Sequence, residues 1–132
     1  MTEEDIANVL GQRLVYAMPE HTVLFENRDG LPGRPYIAFE IVRVSTTDDT
    51  LRGGHKISRG FIQATVVTEA GSFANEGLHI ADHIAEGFPY GDRLDIPGGT
   101  ILIRKTPEVG QGFRDGPDWR TPVRVDYEAE EQ

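Results

Sequence analysis

From residue 36 to residue 44 the chain alternates, with Ile37, Phe39 and Ile41 on one side and Glu40 on the other. A period of two marks an extended strand with one dry face and one wet face. Residues 61–68 repeat the pattern with Ile62, Ala64 and Val66. So do residues 100–105, with Ile101 and Ile103, and residues 122–127, where Val123, Val125 and Tyr127 oppose Arg124 and Asp126. A short β-branched and aromatic run at 22–26 makes a fifth strand. Strands of this kind belong to a sheet that is covered on one face only, and something apolar must cover it.

Two stretches have the other period. Ile6, Val9, Leu10, Leu14 and Ala17 recur at helical spacing, after Thr2 as a cap and Glu3, Glu4 and Asp5 at the positive end of the helix dipole. In the second stretch Ser72 is the expected cap. Ala74, Leu78, Ala81, Ile84, Ala85 and Phe88 make the buried stripe, with Glu76, His79, Asp82, His83 and Glu86 opposite. Pro19 ends the first helix, and Pro89 with Gly91 ends the second. The order is helix, three strands, helix, two strands. It predicts one α+β domain over residues 1–132, in two layers: a mainly antiparallel or mixed sheet of about five strands, with helices at about 2–17 and 72–88 on one face. Leu10, Leu14, Ile41, Ile62, Val66, Leu78, Ala81, Phe88, Ile101, Ile103 and Val125 are the expected core.

A chain of 132 residues can bury such a core without staples, and it has no cysteine. A disulfide framework and a thiolate nucleophile are therefore excluded. The acidic start Thr2-Glu3-Glu4-Asp5 is not a signal peptide, and no apolar run approaches a membrane span. The 22 acidic and 13 basic residues leave a formal charge of −9. That charge opposes approach to nucleic-acid phosphates or anionic lipid, so neither is an expected partner.

The chemical motifs are incomplete. His79 and His83 are four apart on one helix, a spacing zinc uses, but Ile80 stands where a metalloprotease needs Glu, and no third ligand follows at a recognisable spacing. The stretch Gly53-Gly54-His55-Lys56 has His55 and Ile57 where a phosphate loop needs Gly and Ser or Thr. Ser45, Ser58 and Ser72 sit in no nucleophile elbow, and Asp48-Asp49 reads as an ordinary acidic surface. No catalytic residue, metal ligand or cofactor is expected. The basic residues are more suggestive. Arg34, Arg52, His55, Lys56, Arg59 and Arg114 gather in or beside three stretches read as loops, 27–35, 45–56 and 106–118, while the helices and the 128–132 tail, expected to fray, hold much of the acid. These six are the candidate contacts to a neighbouring subunit or partner.

Taken together, the amphipathic helix 6–17, the stretch Arg59-Gly60-Phe61-Ile62-Gln63-Ala64-Thr65-Val66-Val67, and the helix end Ile80-Ala81-Asp82-His83-Ile84-Ala85-Glu86-Gly87-Phe88-Pro89 form a pattern. It is completed by Ile101 to Thr106, a glycine-bearing loop, and Trp119 leading into Pro122-Val123-Arg124-Val125-Asp126-Tyr127. The pattern resembles the tail terminator, or tail completion, proteins of long-tailed bacteriophages and phage-like particles. The resemblance implies a structural protein of the virion tail, assembled in the host cytoplasm. It implies a hexameric ring that caps the tail tube and joins it to the head connector. Its partners would be other copies of itself, the tail tube protein and the connector protein. Two other roles stand beside it: a head-completion or neck protein, and, from a different class, a small metal-dependent enzyme using His79 and His83. A stand-alone ligand-binding domain is a third.

Overall fold

A computed structural model describes residues 1–26, 32–48, 55–71 and 74–132. In chain order its elements are α1 (Glu3–Ala17), β1 (Thr22–Leu24), β2 (Tyr36–Asp48), β3 (Lys56–Glu69), α2 (Ala74–Glu86), β4 (Arg93–Ile96), β5 (Gly99–Ile103), β6 (Glu108–Val109), β7 (Phe113–Asp115) and β8 (Asp118–Glu131).

The first helix starts where its cap puts it. Thr2 Oγ1 accepts the Asp5 N–H at 3.0 Å, and the Asp5 carboxylate accepts the Thr2 N–H at 3.1 Å. This reciprocal box satisfies two donors that a helix start leaves open. Ile6, Leu10 and Leu14 are fully buried, as their spacing demands.

The sheet is curled and mixed, in the order β1-β2-β3-β8-β5-β4, with β6 and β7 also paired to β8. Among the described strands only β1 runs parallel to its neighbour, β2. The register stacks the alternating residues: Ile37 faces Val66, Ile41 faces Ile62, Ile62 faces Val125, and Ile103 faces Tyr127. One apolar face results, and the buried residues of both helices join it in a single cluster.

Eight strands replace the expected five. β4, β6 and β7 are two to four residues long, too short to display a period. The stretches read as loops at 45–56 and 106–118 are partly strand, since β2 runs on to Asp48, β3 starts at Lys56, and β6 and β7 fall inside the second. Polar residues such as Thr46 and Ser58 pair here as well as apolar ones, because the ladder bonds belong to the backbone. The 128–132 tail does not fray. β8 continues to Glu131, hydrogen-bonded to β3 on one side and β5 on the other, and Ala129 is fully buried.

The second helix is turned from its expected stripe. Leu78 is 41% exposed, and Gly77, Ile80, Ala81 and Ile84 face the sheet, followed by Phe88. The cause is Gly77. A Cβ there would lie 2.6 Å from Thr121 Oγ1, so the helix rides close over β8 on its bare glycine. Of the expected core, Leu78 is exposed and Ile41 part-buried; the remaining residues are buried. The expected cap Ser72 lies outside the described residues, as do Arg52, Gly53, Gly54 and most of 27–35.

Candidate functional site

The five described candidate cations fall into two groups at opposite ends of β8. His55, Lys56 and Arg59 sit at the start of β3, beside the end of β8. His55 Nε2 is 2.7 Å from Glu130 Oε1, Lys56 Nζ is 3.5 Å from Glu3 Oε1, and Arg59 is 3.5 Å from Glu128. Arg34 and Arg114 lie at the other end. Arg34 Nη1 donates to Pro117 O at 2.8 Å and Asp118 Oδ1 at 3.0 Å, and Arg114 Nε donates to Gly116 O at 3.1 Å. At about 3.3 Å per residue the two groups are roughly 40 Å apart. Four of the five are thus already paired to a carboxylate of their own chain. Arg59 is a strand residue whose partner Glu128 also meets Arg104 at 3.4 Å.

The pairing centres on residues the sequence marked only as helix-start acid or strand. Glu3 accepts from Ser58 Oγ at 3.0 Å and meets Arg43 Nε at 3.3 Å as well as Lys56. Its carboxylate therefore pins the start of α1 to the far half of the β2–β3 ribbon. Ser58 is buried in this contact, which explains its place without a nucleophile's role. Tyr127 lies under the same cluster against Gly60, where a Cβ would come within 2.8 Å of the phenol oxygen. Burial, then the Glu3 carboxylate, push the phenol up to about 12 against the opposing pull of Arg43. Tyr127 therefore stays protonated at any physiological pH. Glu3 at a helix start was legible as a dipole partner; its reach to β2 and β3 depends on where α1 lands.

His79 and His83 stack edge to face, with centroids 4.8 Å apart, and His83 Nδ1 is 3.8 Å from Glu86. With His21 they line a cavity of about 270 Å³ between the end of α1 and α2. Among the described residues no group of three or more His, Cys, Asp or Glu side chains is arranged to hold a metal ion. A wider open groove, about 430 Å³, runs between α1 and β2. No helix among the described residues is long and apolar enough to cross a membrane.

What the described residues offer is surface: a long strand ribbon, charge compensated across strands, and sheet edges that no described strand covers. That is the make-up of an α+β structural protein. A family model described as phage tail terminator protein matches residues 5–127, and the chain belongs to that family, a structural family of the phage tail. Two solved structures share the fold. One, which carries no functional description, superposes with a TM-score of 0.80 at 21% identity, covering 98% of this chain and 96% of that one. The other comes from the virion of a native gene transfer agent particle, with a TM-score of 0.66 at 14% identity and the same coverage. Among curated protein sequences there is no match.

Proposed function

We propose that this protein caps the growing tail tube and joins it to the head connector, as a closed hexameric ring. The observation that carries this reading is the family match across residues 5–127. The virion particle whose chain shares the fold over 98% of this one is consistent with it. The protein works by contact rather than catalysis, in the host cytoplasm during assembly and then in the virion tail. Its partners are its own copies, the tube protein and the connector protein.

Arg34, Arg52, His55, Lys56, Arg59 and Arg114 serve as contacts in that assembly. What supports this reading is how the described members are paired on a chain of charge −9. Each of Arg34, Lys56 and Arg59 neutralises a carboxylate that would otherwise repel the next acidic copy, and His55 does so when protonated. An exposed pair of this kind contributes at most about 1 kcal/mol to the fold, so these residues matter more for assembly than for stability. The test is charge reversal at Arg52 and Lys56 together, read by electron microscopy of assembled particles. Monomer stability should hold while rings are lost or tails grow to uncontrolled length. Normal tails joined to heads would remove these residues from the mechanism. Normal particles after deletion of the whole gene would end the capping role.

A further inference from the structure

Among the described residues the sheet has two open edges. On one side, β1 covers β2 only from Tyr36 to Ala38. The next five residues, Phe39 to Arg43, have β3 on one flank and, among the described residues, no strand on the other, until the register breaks between Arg43 and Ser45. The Ile41 N–H points out of the sheet, because it donates to Glu26 Oε1 at 3.0 Å. A side-chain carboxylate sits where the carbonyl of a neighbouring strand would sit, and the groove of about 430 Å³ opens beside it, floored by Phe25, Phe39 and Ile41. On the other side the sheet of described residues ends at β4, a strand of four residues that pairs with β5.

The two edges are complementary in three respects. The first is direction. Four antiparallel steps lead from β2 through β3, β8 and β5 to β4, so β4 runs the same way as β2. Across the sheet Arg93 is level with Ser45, five residues from Glu40. A cyclic ring whose strands tilt by about 35° to its axis, as barrel strands do, absorbs that offset. Rotation about the axis preserves strand direction and face, so the seam must be parallel. β2 already takes a parallel strand, β1, on this same edge. The second is face. Leu94 registers with Ile101 and so lies on the apolar side, where it would meet Phe39 and Ile41. The third is charge. Glu40 on β2 and Arg93 on β4 both project from the opposite, wet side and are exposed, and neither side chain has a hydrogen bond or ion pair among the described residues. A two-fold pairing of β2 with itself would instead run antiparallel, set Glu40 near Glu40, and close a dimer.

We propose that β4 of one copy adds in parallel to residues 39–43 of β2 in the next, with Arg93 meeting Glu40 and an incoming strand carbonyl replacing Glu26 at the Ile41 N–H. The inference rests on the ring reading above and names its seam. Glu26 then acts as a placeholder that quiets the edge of the free monomer, as edge strands generally require.

The chain has no cysteine, so thiol trapping reports only what is introduced. Neighbouring strands hold paired residues within disulfide reach. E40C and R93C are made separately, mixed, and oxidised mildly. The mixture should give a covalent heterodimer about 100-fold faster than either variant alone, as expected when docking replaces chance encounter, and the E40C/R93C double variant should give covalent closed oligomers. A mixture no faster than the single variants overturns the seam, as does faster trapping of E40C with itself. Charge reversal gives a second readout: E40R and R93E should each lose assembly alone and regain it together, and no rescue counts against the pairing. Native mass spectrometry of the wild-type chain with tail tubes separates the two ideas. Rings without the cross-link overturn the seam and leave the ring, whereas absence of any ring removes both.

Discussion

Gly77 decides which residues of α2 face the sheet, and it yields the sharpest mutational contrast. Leu78→Ala should cost less than about 1 kcal/mol, because the side chain it trims is largely in water. Ile80→Ala, two residues on and buried, should cost roughly 2–5 kcal/mol. Gly77→Ala must push the helix off Thr121 and should destabilise despite its better helix propensity. Urea denaturation of the three variants checks the order. Tyr127 gives a pH prediction. Its folded pKa is raised to about 12, so the stability it contributes is present below the unfolded value near 10 and is lost as pH rises through the folded value. Melting between pH 9 and 12 should reveal an alkaline loss on the order of 1–3 kcal/mol. Tyr127→Phe should remove that loss. At pH 7 it should change stability by less than about 1 kcal/mol, since the buried phenol oxygen has no hydrogen-bond partner among the described residues to lose.

At the scale of elements, β8 organises the molecule. It lies between β3 and a second flank shared by β7, β6 and β5. Its acidic end alternates Glu128 and Glu130 outward with Ala129 inward. Read as composition, that end is a solvated tail; read in place, it closes the gap between two strands. Deleting residues 128–132 should therefore lower the melting temperature markedly and expose the β3 and β5 edges, whereas removal of a frayed tail would leave it unchanged. Circular dichroism of the truncated chain distinguishes these. The first helix is the opposite case. Its cap, stripe and stop were all legible, because capping and amphipathicity are local and the helix simply lands its apolar face on the sheet. Thr2→Ala should cost about 0.5–2 kcal/mol, measured in the same denaturation assay.

At the scale of the whole molecule, a chain at −9 must approach like-charged copies. Salt shortens the reach of that repulsion from about 30 Å at 0.01 M to about 8 Å at 0.15 M. Self-association measured by sedimentation should therefore strengthen as salt rises through this range. Weakening throughout would mean that intersubunit ion pairs outweigh the net charge.

What the sequence determined by itself is whatever repeats within a few residues. The period of two in 36–44 and 61–68, the helical stripe of Ile6, Leu10 and Leu14, and the Thr2–Asp5 spacing specified α+β elements and most of the core. The matching order of those elements along the chain carried the family. Tertiary structure decided what depends on distance across the fold. It gave the two- to four-residue strands a neighbour to bond, turned α2 by the close approach at Gly77, and brought Glu3 to Lys56 and Ser58. Among the described residues it also left the edges at Ile41 and β4 without strands, which no local pattern records, because an edge is open or closed only through residues far away in the chain.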